Sequence, residues 1–267
     1  MFGGEVETLD VDNNVVVIAG EKYKTVTLNG ITVMAENLRA IPEGKSPATA
    51  DGEAENQTGF WYPYNVVDGV AVSLTDEASI QQYGYLYDFY TVSGIDPTQY
   101  ADNSALNVAV EEWVAAGSKS SLAPEGWRLP TAAELYQLCG DGIGAFLPVN
   151  KSEPFYDLDL GYACVDKAVE VGFNYLPVGS VTNNYKYSTT LVAEQYTSTL
   201  GDPRAGNENF VGEKSVSYFM TSTPYSATTV NNWAMMTIYA YSYNMGRIYM
   251  LSASKAYGIC VRFVKDE

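Results

Sequence analysis

The sequence predicts an α+β domain, and three stretches carry the prediction. Tyr23-Lys24-Thr25-Val26-Thr27-Leu28 and Ile31-Thr32-Val33-Met34 are β-branched runs on either side of Asn29-Gly30. That dipeptide suits a type I′ hairpin turn, whose two central residues both need positive φ. Pro130-Thr131-Ala132-Ala133-Glu134 opens a helix. The Thr131 hydroxyl can accept from the amide of Glu134 while the Glu134 carboxylate reaches back to the amide of Thr131. Residues 233–243 alternate, with Trp233, Met235, Thr237, Tyr239, Tyr241 and Tyr243 on one face of a strand and Ala234, Met236, Ile238, Ala240 and Ser242 on the other.

The remaining elements follow in chain order. Residues 1–21 read as an acidic lead-in with one strand at 15–19, and 22–267 as a single domain with no fixed-period repeat and no interdomain linker. Residues 40–58, rich in Pro, Gly, Ala and acid, form a loop. Phe60-Trp61-Tyr62-Pro63-Tyr64 is either an edge strand packed on the core or a platform for a ligand. Thr75-Asp76-Glu77 caps a short helix, and residues 83–90 place their aromatics inside. The spacing of Leu106, Val110, Trp113 and Val114 predicts an amphipathic helix over 103–116 ended by Gly117. Leu135 and Leu138 of the capped helix face the core. Gly140-Asp141-Gly142-Ile143-Gly144 follows a helix rather than a strand and so is no dinucleotide loop. Strands are predicted at 169–176, 215–221, 247–251 and 258–265, with a turn at Asn244-Met245-Gly246. Trp127 is a core anchor, and Arg128 is held by a carboxylate or by backbone carbonyls.

Composition closes several classes of function. The 267 residues include no His, three Cys (Cys139, Cys164 and Cys260) and a net charge of −17. Without His there is no Ser-His-Asp triad, no Cys-His dyad and no imidazole metal ligand. Three Cys with no Cys-x-x-Cys pair make no four-thiolate zinc site, and at most one disulfide; small buried thiols are expected. A strongly acidic chain lacks the cations that neutralise nucleic-acid phosphates, and an anionic membrane surface repels it. The apolar runs are too short for a transmembrane helix. Asp10-Val11-Asp12-Asn13-Asn14 has the alternating oxygens of a calcium loop but lacks its Gly and distant Glu, so it reads as a solvated turn and no cofactor is expected.

Six blocks in order resemble the Fibrobacter succinogenes major paralogous domain (FISUMP) family. They are Val33-Met34-Ala35-Glu36-Asn37-Leu38, Tyr83-Gly84-Tyr85-Leu86-Tyr87 and 124–131 (Pro-Glu-Gly-Trp-Arg-Leu-Pro-Thr), then 172–179 (Gly-Phe-Asn-Tyr-Leu-Pro-Val-Gly), 218–223 (Tyr-Phe-Met-Thr-Ser-Thr) and 258–265 (Gly-Ile-Cys-Val-Arg-Phe-Val-Lys). The third block, continued to Glu134, also resembles a helix start of formylglycine-generating enzymes. The resemblance implies a C-type-lectin-like fold, with two or more helices beside small antiparallel sheets and the chain ends together. It also implies a place outside the cell or on the outer membrane surface, lipid-anchored, with the signal already removed. The family often carries Cys before its Pro-x-Gly-Trp block and in its last strand; here Ala123 and Phe263 stand there, a paired loss that fits a missing disulfide. Formylglycine chemistry needs Cys near the C-terminal region, and 218–257 has none. The related iron-dependent sulfoxide synthases need His. The chain is therefore expected not to be an enzyme.

Residues 225–257 hold Tyr225, Tyr239, Tyr241, Tyr243, Tyr249 and Tyr257 with Asn231, Asn232 and Asn244 and many Ser and Thr; Arg247 and Lys255 are their only charges. Antibody paratopes use this palette, since Tyr supplies contact area at small entropic cost while Ser and Asn adapt their hydrogen bonds. The expectation is an extracellular glycan or protein ligand held by Tyr225, Asn231, Asn232, Tyr239, Tyr241, Tyr243, Asn244 and Tyr249, with Trp127, Arg128, Pro130, Thr131 and Glu134 as the structural motif. The Tyr face is otherwise an ordinary sheet surface. A carboxylate-based glycan hydrolase and a structural subunit of a fimbria-like assembly are the alternatives.

Overall fold

The structure, a computed structural model, describes residues 14–49, 59–67, 70–139, 156–157, 162–163, 168, 170–174, 178, 180–181, 216–224, 232–240 and 246–266. In chain order the strands are β1 (Val15–Ile18), β2 (Glu21–Leu28), β3 (Ile31–Met34), β4 (Phe60–Trp61), β5 (Tyr64–Val67), β6 (Val70–Ser73) and β7 (Leu86–Tyr87). They continue with β8 (Trp127–Arg128), β9 (Tyr156–Asp157), β10 (Tyr162–Ala163), β11 (Val216–Pro224), β12 (Asn232–Ala240), β13 (Gly246–Ser254) and β14 (Val264–Lys265). The helices are α1 (Glu77–Tyr83), α2 (Phe89–Ser93), α3 (Asn103–Ala115) and α4 (Ala132–Cys139). The fold is mixed α+β with antiparallel sheets, as the sequence predicts.

A five-stranded sheet in the order β1-β2-β3-β14-β8 joins the early hairpins to the end of the chain. The turn between β2 and β3 has Asn29 at φ 50° and Gly30 at φ 83°, the type I′ signature. Its amide and carbonyl are tied to α4: the Asn29 side chain donates to Gln137 O at 2.9 Å, and the Gln137 side chain donates to Asn29 O at 2.9 Å. Helix starts follow their caps. Asp76, Asp88 and Asp102 accept from Ser79, Thr91 and Ala105 amides and begin α1, α2 and α3. Leu106 and Val110 of α3 are buried, and Trp113 and Val114 pack partly against the core.

Two hydrophobic clusters cover opposite faces of the central sheet. One gathers Leu28, Ile31, Val33 and Val264 with Leu135 and Leu138 of α4, Phe173, Phe219 and Cys260. The other gathers Val16, Ile18, Tyr23, Met34 and Phe263 with Trp127, Phe60, Tyr85, Tyr87, Phe89 and Tyr218. Phe60, Trp61 and Tyr64 are buried, so the aromatic pentapeptide packs on the core, as the first of its two readings has it; Tyr62 is half-buried. Ala123 and Phe263 pack in one cluster.

The last segment is the axis between the clusters. Ile259, Val261 and Phe263 enter one; Cys260 and Val264 enter the other. Only β14 is regular strand, so the predicted continuous strand over 258–265 is corrected to an extended segment that changes partner every residue or two. Gly258 pairs with Val181, Ile259 with Tyr87 and Cys260 with Phe219; Leu38 donates to Val261 O and Met34 to Phe263 O. Gly258 is required by close approach, because a Cβ there would lie 2.6 Å from a ring carbon of Trp61 and 3.0 Å from Cβ of Val181. Cys260 is a buried thiol, as expected. The side chain of Cys139 and all of Cys164 lie outside the described residues, as does the 140–144 glycine run.

The strand predicted at 169–176 is a second correction. Ala168 and Glu170 are helical, and the Phe173 amide donates to Ala168 O at 2.9 Å, closing a helix end. Gly172 at φ 88° and Asn174 at φ 49° take the left-handed conformations that end helices. The alternation of Val169, Val171 and Phe173 resembles a strand over too short a window to tell it from a helix terminus.

Candidate functional site

Three of the predicted binding positions, Asn232, Tyr239 and Tyr249, lie on the three-stranded sheet β11-β12-β13, and the Pro-x-Gly-Trp block contacts β11 of that sheet. Trp127 is buried, as expected of an anchor. The Arg128 guanidinium donates to both Glu134 carboxylate oxygens at 2.9 and 2.6 Å and through Nε to Asp266 at 2.6 Å. It is thus held by carboxylates, as the sequence reading has it. The capping box is present: the Thr131 amide donates to Glu134 at 2.7 Å and the Glu134 amide to Thr131 Oγ1 at 3.2 Å. Burial would raise the Glu134 carboxyl, but its bonds from Arg128 and Thr131 hold it below the ordinary value. Directly behind this box, the Ser222 amide donates to Pro130 O at 2.8 Å and the Ala132 amide to Thr223 Oγ1 at 2.9 Å. β11 also exchanges bonds with the axis, Met220 donating to Cys260 O and Cys260 to Tyr218 O, both at 3.0 Å.

The register then assigns the faces. Phe219 packs against Phe173 at 5.6 Å between ring centroids, in the cluster that holds Leu135 and Leu138, so its face of the sheet is the α4 face. Met236 pairs with Phe219 and shares that face. Thr237 pairs with Tyr218 and Tyr249, while Tyr239 pairs with Val216 and Arg247. Tyr239, Arg247 and Tyr249 therefore occupy positions on the face opposite α4. At the inner end of that face Tyr218 and Met220 are buried in the second cluster. Asn232 pairs with Ser254, on the α4 face.

The structure thus brings two of the predicted ligand-binding positions, Tyr239 and Tyr249, together on one sheet face. Asn232 sits at the far end of β12 on the other face. These three are placed by backbone register; Tyr225, Asn231, Tyr241, Tyr243 and Asn244 lie outside the described residues, as does the turn at 244–245. Tyr257, by contrast, is half-buried beside the second cluster. Lys255, just past β13, is buried, and burial pulls its ammonium below the ordinary lysine value.

Two buried polar sites escaped the sequence reading. Asp88 is fully buried; its carboxylate accepts from the Thr91 amide at 2.7 Å and the Gly59 amide at 2.8 Å. Burial pushes its carboxyl up to about 7, while the two amide bonds and Lys45 pull the other way. Asp88 followed by Thr91 has the spacing of a cap, which was the available signal. Arg262 is buried in the axis, with its guanidinium over the Phe173 and Phe219 rings at 4.4 and 5.1 Å. It donates to Asn37 Oδ1 at 2.8 Å, to Phe173 O, and to Asn174 O at 3.0 Å. Nothing local marks such a residue, because its acceptors lie 88 to 225 positions away along the chain. Both sites consume their polar atoms in holding the backbone.

Among the described residues no helix is long and apolar enough to cross a membrane. Nor do the described residues hold a group of three His, Cys, Asp or Glu side chains able to take a metal. The Asp10–Asn14 acids lie outside the described residues, apart from Asn14.

What these features define is an α+β domain with a two-faced core, an axial last segment and a charge-poor three-stranded sheet docked on a capped helix. The chain belongs to the Fibrobacter succinogenes major domain family, whose model matches residues 26–265. No curated protein and no solved structure matches it.

Proposed function

We propose that the domain is a non-catalytic binding module working outside the cell, which recognises a glycan or protein through the sheet face that carries Tyr239 and Tyr249. The observation that carries the reading is the register: Phe219 ties one face of the sheet to α4, and the tyrosine positions of β12 and β13 alternate to the other. A face rich in Tyr and poor in charge suits recognition by contact, because each ring offers apolar area and a hydroxyl together. No cofactor is required by this mode of binding. A C-type-lectin-like arrangement fits the meeting of the early hairpin and the last strand in one sheet, and it supports placing the ligand on the sheet distal to that meeting point. An anchored, outer-surface location is what the resemblance to the family implies, and it is tested by protease treatment of intact cells producing the full precursor.

The binding experiment is a screen of immobilised oligosaccharides and extracellular proteins, followed by Tyr239→Ala/Tyr241→Ala/Tyr243→Ala. The triple variant is expected to lose capture of whatever the wild-type domain retains while keeping its circular dichroism spectrum. Unchanged capture by a folded triple variant would remove the tyrosine face from the account. Turnover of a retained oligosaccharide would replace the binding reading with a catalytic one.

A further inference from the structure

We infer that Asn29 is a site of spontaneous deamidation, and that Gln137 of α4 sets how fast the asparagine is consumed. The reaction parts the β2–β3 hairpin from that helix.

The chemistry needs an asparagine amide followed by an unhindered backbone nitrogen, and Asn29-Gly30 is the chain's one Asn-Gly pair. Both residues are exposed, and a Cβ built on Gly30 meets nothing within 4 Å, so the nitrogen is open to solvent. The Gly30 nitrogen gives up its proton and attacks Cγ of Asn29. A C–N bond forms, the bond from Cγ to Nδ2 breaks, and Nδ2 leaves as ammonia. Water then opens one of the two carbonyls of the cyclic imide. One opening leaves aspartate; the other leaves isoaspartate, in which the main chain runs through Cγ. In sum one amide and one water become one carboxylate and one ammonium, with no oxidant or cofactor.

The tie to α4 holds the reaction back. A type I′ turn keeps ψ of its first central residue at about +30°. At that angle the Gly30 nitrogen points away from Cγ, so the ring closes only when the turn opens. Asn29 Nδ2 donates to Gln137 O and Gln137 Nε2 donates to Asn29 O, both at 2.9 Å. Rotating ψ swings the Asn29 carbonyl off Gln137 Nε2, and bringing Cγ to the nitrogen draws Nδ2 off Gln137 O. Opening therefore costs both bonds. The product cannot restore them, because a carboxylate has no donor for Gln137 O. It also stands beside the last turn of α4, where the helix dipole disfavours an anion. The converted fraction rises with the age of the protein, and each converted molecule has a weaker joint between hairpin and helix.

The test is incubation of the intact folded protein at mildly alkaline pH, followed by mass spectrometry of the tryptic peptide Thr25–Arg39. That peptide carries its own control in Asn37, which is buried, donates through Nδ2 to Tyr83 O and precedes Leu38. Fragment masses are expected to place an acid at 29 and an amide at 37, with isoaspartate revealed by isoaspartyl methyltransferase labelling. Gln137→Ala removes the donor to Asn29 O, and Gln137→Glu puts an acceptor in its place. Each is expected to speed conversion about fivefold, the net worth of one hydrogen bond, with the circular dichroism spectrum and Asn37 unchanged; the second keeps the test open if the first fails to fold. The wild-type chain unfolded in guanidinium chloride should convert faster still. Asn29→Asp, the unrearranged product, should lower the urea midpoint. Conversion only in the unfolded chain, equal rates in wild type and a folded Gln137 variant, or an Asn29→Asp midpoint equal to wild type would each overturn the inference. Conversion of Asn37 in step with Asn29 would mean general unfolding and overturn it as well.

Discussion

The two outer strands of the β11-β12-β13 sheet stand in different surroundings. At Tyr218, Phe219 and Met220 β11 is buried on both faces, bonded to Cys260 on one edge and β12 on the other. Across the sheet, β13 has β12 as its hydrogen-bonded neighbour and carries the one charged residue of the three strands. In the inner region the buried charges are engaged: Arg262 on carbonyls and the Asn37 oxygen, Asp88 on amides, Arg128 on the carboxylates of Glu134 and Asp266. The strands β12 and β13 carry Tyr, Ser and Asn, a palette that suits recognition. Under the proposed reading the difference separates scaffold from recognition face within a single sheet, and substitutions on the two sides should differ in kind as well as size.

The largest effect is expected at Arg262. Arg262→Met keeps the volume and the contact with Phe173 and Phe219 but leaves the Asn37 oxygen and the carbonyls of Phe173 and Asn174 short of a buried donor. A loss of about 3–5 kcal/mol is expected, measured as a fall in the urea midpoint with unchanged slope. A midpoint within experimental error of wild type would show that the inner region does not depend on this hub.

Next comes Asp88, where the inner region should betray itself through pH. Its carboxyl is raised to about 7 by burial, against 3.8 for the unperturbed group. Between those values the folded chain holds a proton that the unfolded chain has released. Stability is therefore greatest near pH 4, falls as pH rises toward 7, and levels above it, with a slope of at most about 1.4 kcal/mol per unit. Repulsion among the other acids acts in the same direction, so the comparison is with Asp88→Asn, which has nothing to titrate. The variant should be less stable at low pH, having one amide bond fewer, and its stability should depend less on pH between 4 and 7. Identical pH slopes for the two proteins would remove Asp88 as the source.

How far each region was legible follows from the distance over which its code operates. The Asn29-Gly30 hairpin and the Thr131–Glu134 box declare themselves because turn and cap are decided by residues within three positions of one another. The β5–β6 hairpin carried the same kind of signal and went unread: Asp68-Gly69 stands between Val66-Val67 and Val70-Ala71-Val72, in the register Val67 with Val70. Its apolar residues fall on both faces, Val67 and Val72 exposed and Tyr64 buried, which hides the alternation. The axial segment was read as a strand because its period of two is real, but its partners at Val181, Tyr87, Phe219, Leu38 and Met34 are too far away in the chain to infer. The same limit applies to the candidate face. Alternation put Tyr239 on one side of a strand, whereas only the pairing with β13 brought Arg247 and Tyr249 beside it.

The smallest stability effect is expected where the binding effect is largest. Tyr249→Ser exchanges one residue type of the proposed face for another. Its urea midpoint should move by less than the equivalent of about 1 kcal/mol, within the range of substitutions away from a core, while ligand capture falls with that of Tyr239→Ala. The sheet's pairing gives the reason: Tyr249 sits opposite Thr237 in mid-strand, two strands away from the Cys260 bonds that fasten β11 to the axis. A Tyr249→Ser variant as unstable as Arg262→Met would mean that this ring completes the core. The division of the sheet into scaffold and recognition face would then have to be redrawn at β12.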